Sequence, residues 1–231
     1  MDALEASLRR RFRVVETSVP VADRALSLLH PASAEELIDE RDFERDERLP
    51  YWAELWPSAR ILAAEVLKMS GRGERLMELG CGSGLVACCA ALAGFQVTAT
   101  DYYEDATRFA RVNAWRNAGL SIVGRLMDWR AMPAKLGRFE VILASDVLYE
   151  RSFGPLVAAT ISKLLAPNGR AIVADPGRVG HEPFLDALPE RRLAVVDACE
   201  LPYVDGEIRQ TITCYTLARV GDDPSDGSRL R

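Results

Sequence analysis

The sequence is poor in the residues and spacings that hold metals or build disulfides. Its 231 residues include five cysteines, none in C-x-x-C spacing, and two histidines far apart in the chain. A zinc site needs clustered cysteines or histidines, and a disulfide framework needs many cysteines in a short secreted chain. We therefore expect neither a metal site nor a disulfide scaffold.

Long apolar runs are also absent. No run reaches the ~20 residues that a membrane-spanning helix needs. Residues 1–12 lack the apolar core of a secretory signal. These absences predict a cytoplasmic protein without a membrane partner, and we expect it to be a monomer.

The chain has no basic face either. Its net charge of −5 arises within residues 35–48, which hold eight acidic residues and three arginines, so the remainder is neutral. A nucleic-acid partner would normally need a stripe of lysine and arginine to neutralise phosphates. The charge pattern therefore argues against nucleic acid as a partner.

The most informative stretch is residues 75–101, RLMELGCGSGLVACCAALAGFQVTATD. RLMEL is a short apolar run typical of a buried parallel strand, and the glycine-rich loop GCGSG follows it. The alanine-rich segment Leu85–Leu92 predicts a helix that can lie close to a sheet, with Gly94 as its stop. FQVTAT predicts a second strand, which ends on Asp101. The stretch is therefore a βαβ unit with an acidic residue at its far tip.

This βαβ unit has the features of a nucleoside-cofactor site. Gly80, Gly82 and Gly84 lack Cβ atoms, so a ligand can approach the backbone N–H groups, and the dipole of the following helix attracts an anion. Asp101 is placed to bind the hydroxyls of a ribose. Dinucleotide sites and S-adenosylmethionine sites share both features. The spacing G-x-G-x-G, two residues after Glu78, differs from the G-x-G-x-x-G of nicotinamide enzymes.

Further strands alternate with helices, as in α/β proteins. The sequence predicts three more parallel strands and a final antiparallel hairpin, at residues 121–126, 139–145, 170–174, 194–201 and 210–218. With the βαβ unit they give a Rossmann-like, doubly wound seven-stranded sheet whose last strand is antiparallel.

The chain divides into three predicted parts. Residues 1–49 form a small N-terminal extension, which holds a short helix, two short strands and an acidic helix over residues 33–48. Residues 50–219 form the main domain. Residues 220–231 are polar and predict a disordered tail.

Polar side chains follow two of the predicted strands, at the sheet edge where doubly wound proteins bind ligands. Asp128 and Trp129 follow the third strand of the main sheet, where an adenine ring would lie. Asp146 and Tyr149 follow the strand at residues 139–145. We expect all four side chains to lie near the glycine loop.

An aromatic cluster precedes the first helix of the main domain. The stretch LPYWAELWPSAR at residues 49–60 brings together two tryptophans, a tyrosine and Glu54. Such a cluster can be part of the core. Aromatic faces beside a carboxylate also suit a sulfonium or ammonium cation, so a binding lip is the other interpretation.

These features resemble the seven-stranded class I S-adenosylmethionine-dependent methyltransferases, and within them methyltransferase family 16, whose members are mostly protein-lysine methyltransferases. The strings PYWAELWP at residues 50–57 and DPGR at residues 175–178 are further similar to the lysine methyltransferases of the electron-transfer-flavoprotein β subunit. The residues that carry the family resemblance are Trp56-Pro57, the loop from Glu78 to Gly84, Asp101, Asp128-Trp129, and the D-x-x-Y of Asp146 and Tyr149.

The resemblance implies S-adenosyl-L-methionine as cofactor and N-methylation of lysine side chains in a protein substrate, for which the electron-transfer-flavoprotein β subunit is one candidate. It implies that Asp146 and Tyr149 act at the substrate lysine, with Asp146 orienting the amine. The residues that it implies for cofactor binding are Trp56, Glu78, Gly80, Gly82, Gly84, Asp101, Asp128, Trp129 and Ser145.

Other functions stay open. A small-molecule N-methyltransferase, for example of a nicotinamide-like amine, would share the fold and enclose its substrate beneath a lid, for which residues 33–48 could serve. A cofactor-binding regulator without catalysis is the third hypothesis, and Asp146 could instead cap a helix. The string D-V-L-Y at residues 146–149 differs from the N-P-P-Y or D-P-P-Y of enzymes that methylate bases or glutamine amides, which argues against a base as substrate.

Overall fold

The structure, a computed structural model, describes residues 1–37, 50–133 and 136–221. Most of the predicted tail at residues 220–231 and most of the predicted acidic helix at residues 33–48 therefore lie outside the described residues. The helices of the described part are α1 (Asp2–Arg11), α2 (Pro57–Leu67), α3 (Leu85–Leu92), α4 (Glu104–Ala118), α5 (Phe153–Leu164) and α6 (His181–Ala187). Its strands are β1 (Val14–Val21), β2 (Arg24–Pro31), β3 (Arg75–Leu79), β4 (Gln96–Asp101), β5 (Val123–Leu126), β6 (Phe139–Ser145), β7 (Leu165–Asp175), β8 (Leu193–Asp205) and β9 (Ile208–Arg219).

Seven of these strands form one sheet in the order β5-β4-β3-β6-β7-β9-β8. The first five in that order pair in parallel, whereas β9 is antiparallel to both β7 and β8. The order reverses between β3 and β6, which opens a crevice at the carboxyl ends of those two strands. The predicted α/β fold, a doubly wound seven-stranded sheet with an antiparallel last strand, is confirmed.

Helices cover both faces of the sheet, and strand β6 shows why its sequence is apolar from Val141 to Ala144. Val141 and Leu143 pack in the cluster that includes α2, α3 and α4, whereas Ile142 and Ala144 pack in the cluster that includes α5 and α6. A strand buried on both faces cannot alternate apolar and polar residues. The run FEVILAS is therefore the expected sequence of a central parallel strand.

The N-terminal extension packs against the main domain. Strands β1 and β2 form a separate antiparallel hairpin, in which Val14 lies opposite Pro31. A third apolar cluster joins the extension to α4 and includes Leu8, Trp52 and Phe109. Trp52 is 8% exposed, so this tryptophan of the aromatic stretch belongs to the core.

Two details of the carboxyl-terminal half differ from the prediction. Strand β7 begins at Leu165, directly after α5, because Leu165 pairs with Phe139 and its carbonyl accepts a hydrogen bond from Arg138 Nη1 at 2.8 Å. Helix α6 was not predicted from the sequence. It has only seven residues and contains Pro183, so it offers no apolar periodicity from which to predict it.

Asn113 of α4 ties three parts of the chain together. Its side chain is fully buried. Its Oδ1 accepts a hydrogen bond from Leu29 N, and its Nδ2 donates to the carbonyls of Leu29 and Ser83, each at 2.8 Å. Leu29 belongs to β2 and Ser83 to the glycine loop. One amide therefore satisfies the backbone of both the N-terminal hairpin and the loop.

Replacing this amide should destabilise the whole fold. We expect Asn113→Ala to lower the free energy of unfolding by about 3 kcal/mol or more, because three buried backbone groups lose their partners. The melting temperature, measured by circular dichroism, should fall by roughly 6 °C or more. Asn117→Ala is the matched control, since Asn117 makes a similar pair of bonds to Ser27 in a part-buried position and should cost much less. An unchanged melting temperature in Asn113→Ala would contradict this role.

Candidate active site

A pocket of about 510 Å³ lies at the carboxyl edge of the sheet. It is lined by the ends of β3, β4 and β6, by the segments that follow β5 and β7, and by residues before α2. All eleven site residues predicted from the sequence line it, namely Trp56, Glu78, Gly80, Gly82, Gly84, Asp101, Asp128, Trp129, Ser145, Asp146 and Tyr149. The structure therefore brings the predicted residues together in one place, while their individual roles stay predictions.

The glycine loop needs its glycines for two different reasons. Gly82 has φ +50, and a Cβ there would lie 3.0 Å from the carbonyl oxygen of Trp52, so the two backbone segments would have to move apart by a few tenths of an ångström. Gly84 has φ +86, and a Cβ there would collide with the backbone of Ala110 in α4. Both positions favour glycine by conformation, and Gly84 also lets α3 approach α4 closely.

Asp101 closes the glycine loop onto the end of β4. Its Oδ2 accepts a hydrogen bond from Gly82 N, and its Oδ1 accepts one from Tyr103 N, both at 3.0 Å. Burial raises the pKa of Asp101 to about 6, although these backbone donors lower it. The carboxyl group therefore changes its charge close to neutral pH.

Glu78 is the second buried acid beneath the loop. The residue is 2% exposed, and its Oε2 has no hydrogen-bond partner among the described residues. Burial raises the pKa of Glu78 well above its usual range, and the nearby Asp101 raises it further. Two acids thus lie against each other under the loop, which disfavours charge on both at once.

Asp128 and Trp129 lie where β5 ends, as predicted. The Asp128 carboxylate accepts hydrogen bonds from Arg130 N at 2.9 Å and from Arg130 Nη2 at 2.8 Å. The Trp129 ring packs edge-on against Phe153, with ring centroids 5.7 Å apart. The sequence reasoning did not predict that Arg130 belongs to the site. Only its position two residues after Asp128 could have indicated this.

Asp146 follows β6 in an unusual backbone conformation. Its φ of 57° lies in the left-handed region, which aspartate tolerates better than most residues. Its Oδ1 accepts a hydrogen bond from Arg178 Nε at 2.6 Å, whereas its buried Oδ2 has no partner among the described residues. Helix α5 begins at Phe153 with Ser152 as its N-cap, so the alternative that Asp146 caps this helix is wrong.

Aromatic rings form one wall of the pocket. Tyr51 packs edge-on against both Trp56 and Tyr149, and Tyr149 packs edge-on against Phe153, with centroids 5.0 to 5.9 Å apart. Trp56 Nε1 donates a hydrogen bond to the carbonyl of Tyr51 at 2.9 Å, which fixes the indole. The aromatic stretch therefore serves both interpretations, since Trp52 packs in the core as well as bordering the pocket, and Tyr51 and Trp56 line the pocket.

Arg178, which follows β7, is the other residue that the sequence reasoning left without a role. Its guanidinium pairs with Asp146, and its Cζ lies 5.3 Å from the centroid of the Trp56 ring. The sequence motif DPGR was identified at residues 175–178, but a local motif does not show which distant side chain its arginine contacts. The pocket thus combines a glycine loop, buried acids, an aromatic wall and an arginine that forms an ion pair with Asp146.

The described residues lack two other features. These residues contain no group of three or more histidine, cysteine, aspartate or glutamate side chains that could hold a metal ion. None of the helices in the same residues is long and apolar enough to cross a membrane.

A sequence model of the lysine methyltransferase family matches residues 43–190. The chain belongs to this family. Protein N-lysine methyltransferase METTL21A of Danio rerio is 30% identical over 181 residues, which cover 72% of this chain and 82% of that protein. Protein-lysine N-methyltransferase rrg1 of Schizosaccharomyces pombe is 34% identical over 142 residues, 54% of this chain and 46% of that protein.

Another relative in the comparison is the electron transfer flavoprotein beta subunit lysine methyltransferase of Xenopus laevis, 28% identical over 56% of this chain and 53% of that protein. The chain thus spans about half the length of several curated relatives that it matches. Among solved structures, magnesium protoporphyrin IX methyltransferase from Synechocystis, with bound S-adenosylmethionine, superposes with a TM-score of 0.57 at 14% identity. That match covers 78% of this chain and 93% of the other, and it supports the fold of this lysine methyltransferase family member.

The close packing at Gly84 leads to a stability prediction. We expect Gly84→Ala to lower the free energy of unfolding by roughly 2–3 kcal/mol, because a Cβ there meets Ala110 and the backbone has a positive φ. Urea denaturation followed by tryptophan fluorescence measures the change. Gly119→Ala is the matched control, since its φ is +66 but no atom lies within 4 Å of its Cβ. Equal losses in the two variants would show that backbone strain, and not packing of α3 on α4, decides the cost.

Proposed function

We propose that this chain is an S-adenosyl-L-methionine-dependent N-methyltransferase that acts on lysine side chains of a protein substrate. Membership of the lysine methyltransferase family supports the reaction class. The structural observation behind the proposal is the buried carboxylate of Asp146, which shares one pocket with the glycine loop and the aromatic wall. A carboxylate beside aromatic faces attracts an ammonium ion.

The pocket fits the proposed cofactor. Its volume of about 510 Å³ lies in the range of small-molecule sites, and the glycine loop exposes backbone to it. When bound, S-adenosylmethionine supplies a methyl group attached to a positively charged sulfur. Asp101 would bind its ribose, Asp128 and Trp129 its adenine, and the glycine loop with Trp56 and Ser145 its methionine part.

The amine of a lysine must be neutral before it can accept a methyl group. Removing the proton from an amine of pKa ~10.4 at pH 7 costs about 4.6 kcal/mol. An ionised Asp146 next to the amine favours the protonated form, whereas a positively charged cofactor disfavours it. Asp146 therefore captures and orients the amine, with Tyr149 beside it. In this role Asp146 does not have to act as a strong base.

Two aromatic residues of the pocket wall are partly exposed, which would let the side chain of a protein substrate reach them. Tyr51 and Tyr149 line the pocket yet are 38% and 36% exposed in the described part of the chain. Relatives of this chain are named as lysine methyltransferases of EEF1A and of the electron transfer flavoprotein beta subunit. The latter protein is therefore a reasonable first substrate to try.

Other expectations from the sequence stay predictions. They are a cytoplasmic location, a monomeric state, the absence of a nucleic-acid partner and the boundaries at residues 49 and 219. The proposed lid at residues 33–48 lies mostly outside the described residues, so the small-molecule alternative has to be decided by experiment.

The labelling of a lysate tests the proposed function. The full chain and radiolabelled S-adenosylmethionine are added to a lysate of the source organism, which is then split into protein and small-molecule fractions. We expect label in one protein band, on a lysine that mass spectrometry identifies. Label confined to small molecules would support the rival activity.

Asp146→Asn is the matched control for this experiment. It keeps the shape and the left-handed conformation but removes the charge, so transfer should fall roughly 100-fold while the affinity for the cofactor stays within about twofold. Full turnover in this variant would show that Asp146 is not at the substrate amine.

The pKa of Asp101 predicts how cofactor binding depends on pH. Ribose hydroxyls donate hydrogen bonds to the ionised carboxylate, so binding should weaken as the pH falls through about 6 and Asp101 takes up a proton. We expect the Kd of S-adenosylhomocysteine, measured by calorimetry, to rise about tenfold between pH 7.5 and pH 5. Asp101→Asn should bind more weakly than the wild type, with a Kd that is nearly constant over this range. A wild-type Kd that does not change with pH would exclude Asp101 as the acceptor.

A further inference from the structure

Arg178 occupies a place that is chemically suited to the substrate's own cation. Its Nε donates to Asp146 Oδ1 at 2.6 Å, and its Cζ lies 5.3 Å from the centre of the Trp56 ring. A carboxylate on one side and an aromatic face on the other also stabilise an alkylammonium ion. The guanidinium and a substrate lysine would therefore meet at the same carboxylate.

The turn that carries Arg178 is held firmly in place. Asp175 Oδ1 accepts hydrogen bonds from Gly177 N at 2.7 Å and from Arg178 N at 2.8 Å. Asp175 is 1% exposed, and Gly180 N donates to the carbonyl of Leu148 at 2.9 Å. Because the turn is fixed on both sides, the fold sets where the Arg178 side chain begins, and its ion pair with Asp146 sets where its guanidinium lies.

Asp146 keeps capacity for a second partner. Its Oδ2 is buried and has no hydrogen-bond partner among the described residues, whereas Oδ1 is used by Arg178. Asp146 lines the pocket, so a substrate amine that reaches its carboxylate would have the guanidinium as its neighbour. Two positive charges at one carboxylate repel each other, which penalises the protonated amine but not the neutral one.

Resting on the proposed function, we infer that Arg178 is a positioning residue that shares Asp146 with the substrate lysine and keeps the lysine from being trapped as an ammonium ion. The pair Asp146–Arg178 is neutral overall, so it offers hydrogen bonds without a net negative charge. Without Arg178 the carboxylate would hold the protonated amine more tightly and oppose the loss of its proton.

Other ionisable groups surround this pair and stay unchanged when Arg178 is replaced. They come from every element that packs around the pocket: Tyr51 and Glu54 before α2, Glu78 of β3, Cys81 of the glycine loop, Asp101 of β4, Tyr102 and Tyr103 after β4, Asp128 and Arg130 after β5, Tyr149 after β6, Asp175 of β7 and His181 of α6. A difference between two variants at position 178 therefore reports the charge at that position.

A binding experiment tests this inference without any turnover. The probe is n-butylamine at pH 7.5, where it is an ammonium ion, titrated into the full chain and followed by NMR of 15N-labelled arginine. The Nε–H signal of Arg178 is assigned as the one that is present in the spectrum of the wild type and absent from that of Arg178→Gln. We expect this signal to shift in the wild type as the probe binds. Affinities are measured from the shifts of the probe in ligand-observed spectra. Arg178→Gln should bind the probe about tenfold more tightly than the wild type, and Arg178→Lys should bind it as tightly as the wild type does. An unmoved Nε–H signal, or equal affinities in all three proteins, would overturn the inference.

Kinetics give a second readout that a merely structural role would not move. The substrate is the protein found by lysate labelling. For this substrate Arg178→Gln should have a lower KM than the wild type, and the ascending limb of its plot of kcat against pH should lie roughly one pH unit higher. Arg178→Lys should restore the wild-type limb, and Arg209→Gln, an exposed change on β9, should alter neither quantity. An unchanged pH limb in Arg178→Gln would reject the role of Arg178 while leaving the methyltransferase proposal intact. If the wild type labels no protein, the proposed function fails, and the butylamine titration still decides whether Arg178 competes at Asp146.

Discussion

The buried amide of Asn113 is the interaction on which the geometry of the pocket depends. It binds the backbone of β2 and of the glycine loop from a single position on α4, with all of its hydrogen bonds inside the protein. Since a buried polar group without partners is costly, these three segments are stable only when they are together. The small N-terminal hairpin is therefore a structural part of the domain, and it supports the loop from behind.

The pocket also depends on a balance of charges that differs between its two ends. Beneath the glycine loop, burial favours protonated forms of Glu78 and Asp101. At the other end an arginine offsets the carboxylate of Asp146. A site that brings a sulfonium next to an amine has to attract both without holding either as a tight ion pair, and the negative charge is reduced at each end of this pocket, by burial of the acids at one end and by an arginine at the other.

Local patterns predicted most of the fold, because strands and helices follow from residues that are near each other in sequence. The glycine string, the apolar run of β6 and the acid at the end of β4 predicted a ligand site at one edge of the sheet, and the family resemblance completed the set of eleven residues that line the pocket. The hydrogen-bonded pairs of residues that connect distant segments could not be predicted from the sequence. Leu29 and Asn113 are 84 positions apart and Asp146 and Arg178 are 32 apart, and nothing in the composition of either segment indicates its partner.

The left-handed backbone at Asp146 restricts which residues can occupy the position. With φ at 57°, β-branched and bulky side chains are strained there, whereas aspartate, asparagine and glycine are tolerated. Of these three only aspartate carries a charge, so in this chain a carboxylate at position 146 is free of backbone strain only when the residue is aspartate. A glutamate there would keep the charge at a conformational cost.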